Sequence, residues 1–149
     1  MQIHLDGSNS MRSSRETVFR LLTDPNFLAK TLTDAEDVHV LDEKSLEAKI
    51  KLRLAVVSST LKVKMTVAEA EAPVRAKLLA TGSGSGSSIN IVSTFALDGD
   101  RPTVMKWVAD AEITGVMAGL GSTILKGFAT KKVAKIFEGI TKAVEASSG

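Results

Sequence analysis

The sequence predicts an α+β fold: a curved, seven-stranded antiparallel sheet closed over by a long C-terminal helix, with two short helices after the first strand. Three observations point there. Apolar and polar residues alternate with a period of two over residues 46–56 and 61–67, the pattern of strands with one covered face. Between residues 74 and 113, further strand-like runs are punctuated by turn residues. After Thr114-Gly115 the apolar spacing turns helical and stays so to Val144.

Taken in order, residues 2–8 read as a short first strand. In Ser13-Ser14-Arg15-Glu16 the S-x-x-E spacing lets the Ser13 hydroxyl cap the Glu16 amide, so a helix is expected to start there and to carry Val18, Phe19 and Leu22 on one face. Asp24-Pro25 repeats the signal, a side-chain acceptor followed by proline at the first helical position, for a second short helix with Phe27, Leu28 and Leu32. Residues 37–42 supply another short strand. Over 46–56 the apolar set runs Leu46, Ala48, Ile50, Leu52, Leu54 and Val56, against Glu47, Lys49, Lys51 and Arg53. Leu61, Val63, Met65 and Val67 make the next strand, and Val57-Ser58-Ser59-Thr60 is expected to be the hairpin joining the two. Strands at 74–84, 88–97 and 103–113 complete a meander, with Asp98-Gly99-Asp100 turning the last pair. The final helix follows from Met117, Leu120, Ile124, Phe128, Val133, Ile136, Phe137, Ile140 and Val144; at ~30 residues it spans about 45 Å. The 149 residues are read as one domain, 1–149, without linker or internal repeat.

Composition removes several classes of function. Lys and Arg number 19 against 17 acidic residues, which gives no global attraction for nucleic acid. With no Tyr and 4% aromatics, rows of stacking rings for single strands are unavailable. The absence of cysteine excludes disulfides, thiolate catalysis and Cys-based metal sites. His4 and His39, the two histidines, lack a metal-binding spacing, so no metal or cofactor is expected. The opening Met-Gln-Ile-His-Leu-Asp has no signal-peptide pattern, and no run approaches the ~20 apolar residues of a membrane span; a cytoplasmic location is expected.

The motifs that invite chemistry are each incomplete. Gly82-x-Gly84-x-Gly86 lacks both the Lys-Ser/Thr of a phosphate loop and the spacing of a dinucleotide fingerprint, and reads as a glycine-rich hairpin. His4 shares a strand face with Asp6, but no nucleophile elbow accompanies them, and His39 beside Asp37 offers no more. Asp110 and Glu112 are paired carboxylates, yet they alternate with Met105, Trp107, Ala109, Ala111 and Ile113 and so belong to the wet face. No catalytic residue is assigned.

The apolar face of that strand is more informative. Ala109 and Ala111 are small where a packed core presents bulk, and with Ala80, Gly82 and Gly84 they describe a sheet whose middle its own side chains leave unfilled. Either a ligand or the closing helix fills the gap; composition leaves both open. The expected cavity walls are Leu54, Met65, Leu78, Met105, Trp107 and Ala109 from the sheet. Met117, Leu120, Ile124 and Phe128 are the expected contributors from the helix and its entrance, with 115–121 as a hinged lip. Lys126, Lys131, Lys132, Lys135 and Lys142 give the helix a basic flank, either a solvated face or a docking surface.

These residues resemble the CoxG family of CO dehydrogenase subunits, a branch of the START-like, birch-pollen-allergen-like helix-grip superfamily (SRPBCC). The similarity runs over nearly the whole chain. It is carried by Glu16, Val18 and Leu22, by Asp24-Pro25 and Leu28-Ala29, and by Gly82-x-Gly84. Above all it is carried by Trp107-x-Ala109-Asp110-Ala111-x-Ile113-x-Gly115 followed by Met117-Ala118-x-x-Gly121-Ser122. The resemblance implies a seven-stranded sheet gripping the last helix around an apolar cavity. It also implies non-catalytic binding of a hydrophobic small molecule, lipid or quinone-like, beside a molybdenum-containing hydroxylase of the CO dehydrogenase type, with peripheral contact at the inner membrane face. The sequence departs from the family pattern at Lys30-Thr31-Leu32-Thr33, where a Cys-Ile-Pro-Gly-like segment is expected, and at Val57-Ser58-Ser59, where a glycine-rich kink is expected. It ends at Ser147-Ser148-Gly149 without the hydrophobic tail of some relatives, so no anchoring by this chain is expected. Two alternatives remain at this level: a helix-grip enzyme of cyclase or hydrolase type, and an interaction protein docking through the basic helix.

Overall fold

The computed structural model describes residues 1–32, 34–54 and 57–147; the side chains of Leu54 and Val57 lie outside that description. The chain forms β1 (Gln2–Met11), α1 (Arg15–Leu22), α2 (Pro25–Thr31), β2 (Ala35–Val40), β3 (Ser45–Leu54), β4 (Val57–Glu71), β5 (Arg75–Gly84), β6 (Ser87–Asp98), β7 (Thr103–Gly115), a 3₁₀ segment (Val116–Leu120) and α3 (Ser122–Ser147). The seven strands make one antiparallel sheet in the order β1-β7-β6-β5-β4-β3-β2. The helical pair α1–α2 carries the chain from one edge to the other, and the meander then returns to pair β7 with β1, setting Leu5 opposite Ala109 and Gly7 opposite Trp107.

α3 touches both β1 and β3, strands near opposite edges, which requires the sheet to bend around the helix. Register shifts between Glu36 and His39 and between Val67 and Glu69 add local bending. The far end of the helix is tied back to β1 by Arg12, whose Nε and backbone N–H both donate to Glu145 Oε2 at 3.0 and 2.9 Å.

The element pattern is the expected one, with local corrections. The cap of α1 is Ser14, not Ser13: Ser14 Oγ accepts from the Thr17 amide at 3.2 Å. The carbonyl of Ser13, a buried residue, accepts from Thr103 Oγ1 at 2.8 Å, so tertiary contact moves the cap by one position. Asp24 caps α2 as expected, accepting from the Asn26 amide at 2.9 Å. β4 begins at Val57, so Ser58, Ser59 and Thr60 pair with Arg53, Leu52 and Lys51 inside the ladder instead of forming the hairpin loop; Ala55 and Val56 lie outside the described residues. The long helix starts at Ser122 rather than at Val116.

The core is not continuous. One cluster joins α1, α2 and the C-terminal half of α3 to the sheet through Met11, Val18, Phe19, Leu46, Phe95, Met105 and Val144. A second gathers Ile3, Leu61, Ile113, Met117 and Leu125 around the 3₁₀ segment. Between them the inward-pointing residues of the central strands, Ala80, Ile91, Ser93, Ala109 and Ala111, are only partly buried.

Candidate functional site

That interruption is a cavity of about 330 Å³ between the sheet and α3. Its size falls at the lower end of the range of small-molecule sites. β1 contributes Ile3 and Leu5, β7 the run Met105, Trp107, Ala109, Ala111 and Ile113, and α3 Ala129, Val133, Ile136, Phe137 and Ile140. The strand residues share one face by period two, and the helical ones share a stripe. Apart from the Trp107 indole, Ser93 is the one polar side chain among the described lining residues. The interior thus offers a ligand apolar area and almost nothing to protonate, deprotonate or coordinate it.

Trp107 and Phe137 set one wall. The Trp107 ring stacks on Phe137 with centroids 4.8 Å apart and an interplanar angle of 30°, and its Nε1 donates to Asn9 Oδ1 at 3.1 Å, which satisfies the indole's polar atom. Gly7 makes this possible: a Cβ there would stand 2.5 Å from Trp107 Cζ2. Gly7 and Asn9 carry no motif in the sequence; the only signal is a glycine inside a strand, which marks a close approach.

Of the expected wall residues, Met65, Leu78, Met105, Trp107 and Ala109 line the cavity. Leu54 falls outside the described side chains. Met117, Leu120 and Phe128 belong to the second core cluster, whose Ile3, Leu5, Ile89 and Ile113 also border the chamber. Ile124 is 46% exposed while Leu125 is 2% exposed; with the helix starting at Ser122, it is Leu125 that turns inward. The segment 115–121 is correspondingly no loose lip, because Met117 is buried and its amide donates to Ser87 Oγ at 3.0 Å. Gly82 and Gly84 do not open the cavity either. A Cβ at Gly82 would meet Ile89 at 2.9 Å and Val63 at 3.1 Å, and one at Gly84 would run into the Thr60 carbonyl, so Gly82 allows close packing against β6 and β4, and Gly84 against β4.

The chemistry-bearing groups lie outside. His4 is on the outer sheet face, its Nδ1 2.6 Å from Asp110 Oδ1 and its Nε2 3.0 Å from Asp6 Oδ2. The Asp110 hydrogen bond, then the one from Asp6, raises its pKa above the ordinary imidazole value. His39 is exposed on β2. Among the described residues no group of three or more His, Cys, Asp or Glu is placed to hold a metal, and no helix is long and apolar enough to cross a membrane.

A bent seven-stranded sheet wrapped on a C-terminal helix, with an apolar chamber between them, defines a START-like helix-grip ligand-binding fold. Solved structures agree. A conserved protein from Geobacillus kaustophilus superposes with a TM-score of 0.86 at 24% identity, covering 99% of this chain and 98% of its own. A START superfamily protein from Mycobacterium smegmatis gives 0.65 at 13% identity over 97% and 96%. A norcoclaurine synthase point mutant from Thalictrum flavum, in complex with a transition-state analogue, gives 0.65 at 14% over 100% and 98%. No curated protein matches the sequence. The profile of CoxG, a family of carbon monoxide dehydrogenase subunits, matches residues 7–145, and the chain belongs to that family.

Proposed function

We propose that this protein carries a hydrophobic small molecule, lipid or quinone-like, in the chamber between sheet and α3 without acting on it chemically. The observation that carries this reading is the division of the core: Ala80, Ala109 and Ala111 face a space of about 330 Å³ that no described side chain fills. A lining whose polar content is Ser93 and the already satisfied Trp107 indole favours retention of an apolar molecule over acid-base chemistry, which needs at least two positioned groups. Membership of the family supports a role beside a molybdenum-containing hydroxylase of the CO dehydrogenase type, as an accessory or recruitment factor in the cytoplasm with peripheral contact at the inner membrane face.

Trp107 lies in the wall and is the one tryptophan of the chain, so it reports occupancy directly. Saturable, one-to-one quenching of its fluorescence by a short-tailed quinone or a single-chain lipid is expected. No change with any ligand of either class would remove the carrier reading. Co-sedimentation with purified hydroxylase, with and without anionic liposomes, tests the accessory role; absence of binding in both arms would leave a ligand carrier alone.

A further inference from the structure

A second hollow, of about 280 Å³, opens between the α2–β2 connection and α3. Leu32, Ala35 and Ile50 form one side of it and Lys132, Lys135 and Ile136 the other. Ile136 also lines the apolar chamber, so one aliphatic side chain borders both spaces. The second hollow is charged where the first is dry. Asp34 Oδ2 lies 2.8 Å from Lys132 Nζ and 3.8 Å from Lys135 Nζ. The remaining charged lining residue, Glu138, accepts from Lys142 at 3.2 Å.

One carboxylate is thus straddled by two ammonium groups next to an apolar chamber, and it belongs to the protein itself. Lys132 is only 26% exposed, its stem lying along the cleft while its head meets Asp34. The partial burial strengthens its pull on an anion relative to a fully solvated lysine. Asp34 also joins the α2–β2 connection to α3 across 98 residues of sequence. Ile136, the residue after Lys135 on α3, is the lining residue that the two hollows share.

We propose that this cleft is the mouth of the cavity and that Asp34 latches it, holding the place of the head group of a single-chain amphiphile with a terminal carboxylate. The ligand's carboxylate displaces Asp34 from Lys132 and Lys135, and its alkyl chain passes Ile136 into the chamber lined by Ala109 and Ala111. This rests on the carrier reading and narrows it to an anionic ligand. A charge-assisted contact of this kind discriminates between ligands of equal tail by their heads alone.

Calorimetric titration of the full chain, stripped of bound lipid, with dodecanoate and with dodecanol tests it. Dodecanoate is expected to bind about tenfold tighter or better at low salt. The difference should shrink with added salt and vanish in the Lys132→Gln/Lys135→Gln variant, which keeps its dodecanol affinity. Asp34→Asn should tighten dodecanoate binding and leave dodecanol unchanged. Equal affinity of the two ligands for the wild type overturns the head-group site and leaves the carrier standing, whereas binding of neither removes both. Should the lysine variant lose dodecanol as well, Asp34→Asn decides alone: an unchanged dodecanoate affinity overturns the proposal.

Discussion

Replacing Ala109 by leucine separates an empty chamber from a filled one by the sign of its effect. Ala109 points inward from β7, with Leu5 beside it on β1 and Ser93 on β6, and lines the cavity. The substitution adds three carbons, each contributing about 0.8 kcal/mol when buried, for roughly 2.4 kcal/mol. Fixing the leucine rotamer costs about 0.5–1 kcal/mol. The net is a stabilisation of about 1.5–2 kcal/mol, or roughly 3–8 °C in melting temperature for a chain of this size. Ligand affinity should fall in the same variant, because the added carbons occupy ligand space. Thermal melts and urea titrations of lipid-free protein, followed by circular dichroism, read the first effect and Trp107 fluorescence the second. Where protein atoms already fill the site, the same change overpacks it and destabilises by about 1–3 kcal/mol; a loss of that size would show that there is no vacant chamber to carry anything.

Gly7→Ala should destabilise by about 1–3 kcal/mol and shift Trp107 emission, since the new methyl meets the indole at 2.5 Å; strand propensity alone predicts the opposite sign, and a stabilised variant with unshifted emission would show that the glycine is not there for the ring. His4 has a raised pKa, from Asp110 first and Asp6 second. Its contribution is therefore fully present below the ordinary value of 6.5 and is lost as pH rises through the raised value. The melting-temperature gap between wild type and His4→Gln should accordingly be widest in mild acid and close in mild alkali, and a gap independent of pH would count against the pairing. Gly127→Ala and Gly139→Ala should each stabilise by about 1 kcal/mol, because a Cβ at either position meets nothing within 4 Å; loss of stability would reveal a packing role for these helix glycines.

What the sequence disclosed and what it hid follow from the range of the interactions involved. β3 and the inward face of β7 were legible because period-two alternation is a local consequence of burial on one side. α2 was legible because Asp24 and Pro25 act within their own turn. Local spacing puts the cap of α1 one residue too early because Ser13 is held by Thr103, a partner 90 positions away. A helical stripe begun at Val116 puts Ile124 in the cavity because it has no means of showing that Gly121, at φ 91°, restarts the helix and resets its face. Gly7, Asn9 and the Asp34–Lys132 pair were invisible for the same reason: each acquires meaning only from a side chain about 100 residues distant in sequence. The small residues of β7 do announce a gap, but Gly82 and Gly84 point to one that β4 and Ile89 of β6 close.

A carrier role depends on space between sheet and helix that the protein's own atoms leave vacant, and small apolar cavities of that kind admit xenon. Diffraction from crystals of lipid-free protein under xenon pressure reads that space atom by atom. A xenon peak is expected among Ile91, Ala109, Ala111 and Phe137; crystals showing xenon elsewhere, with side chains packed against one another at this place, would contradict a carrier role.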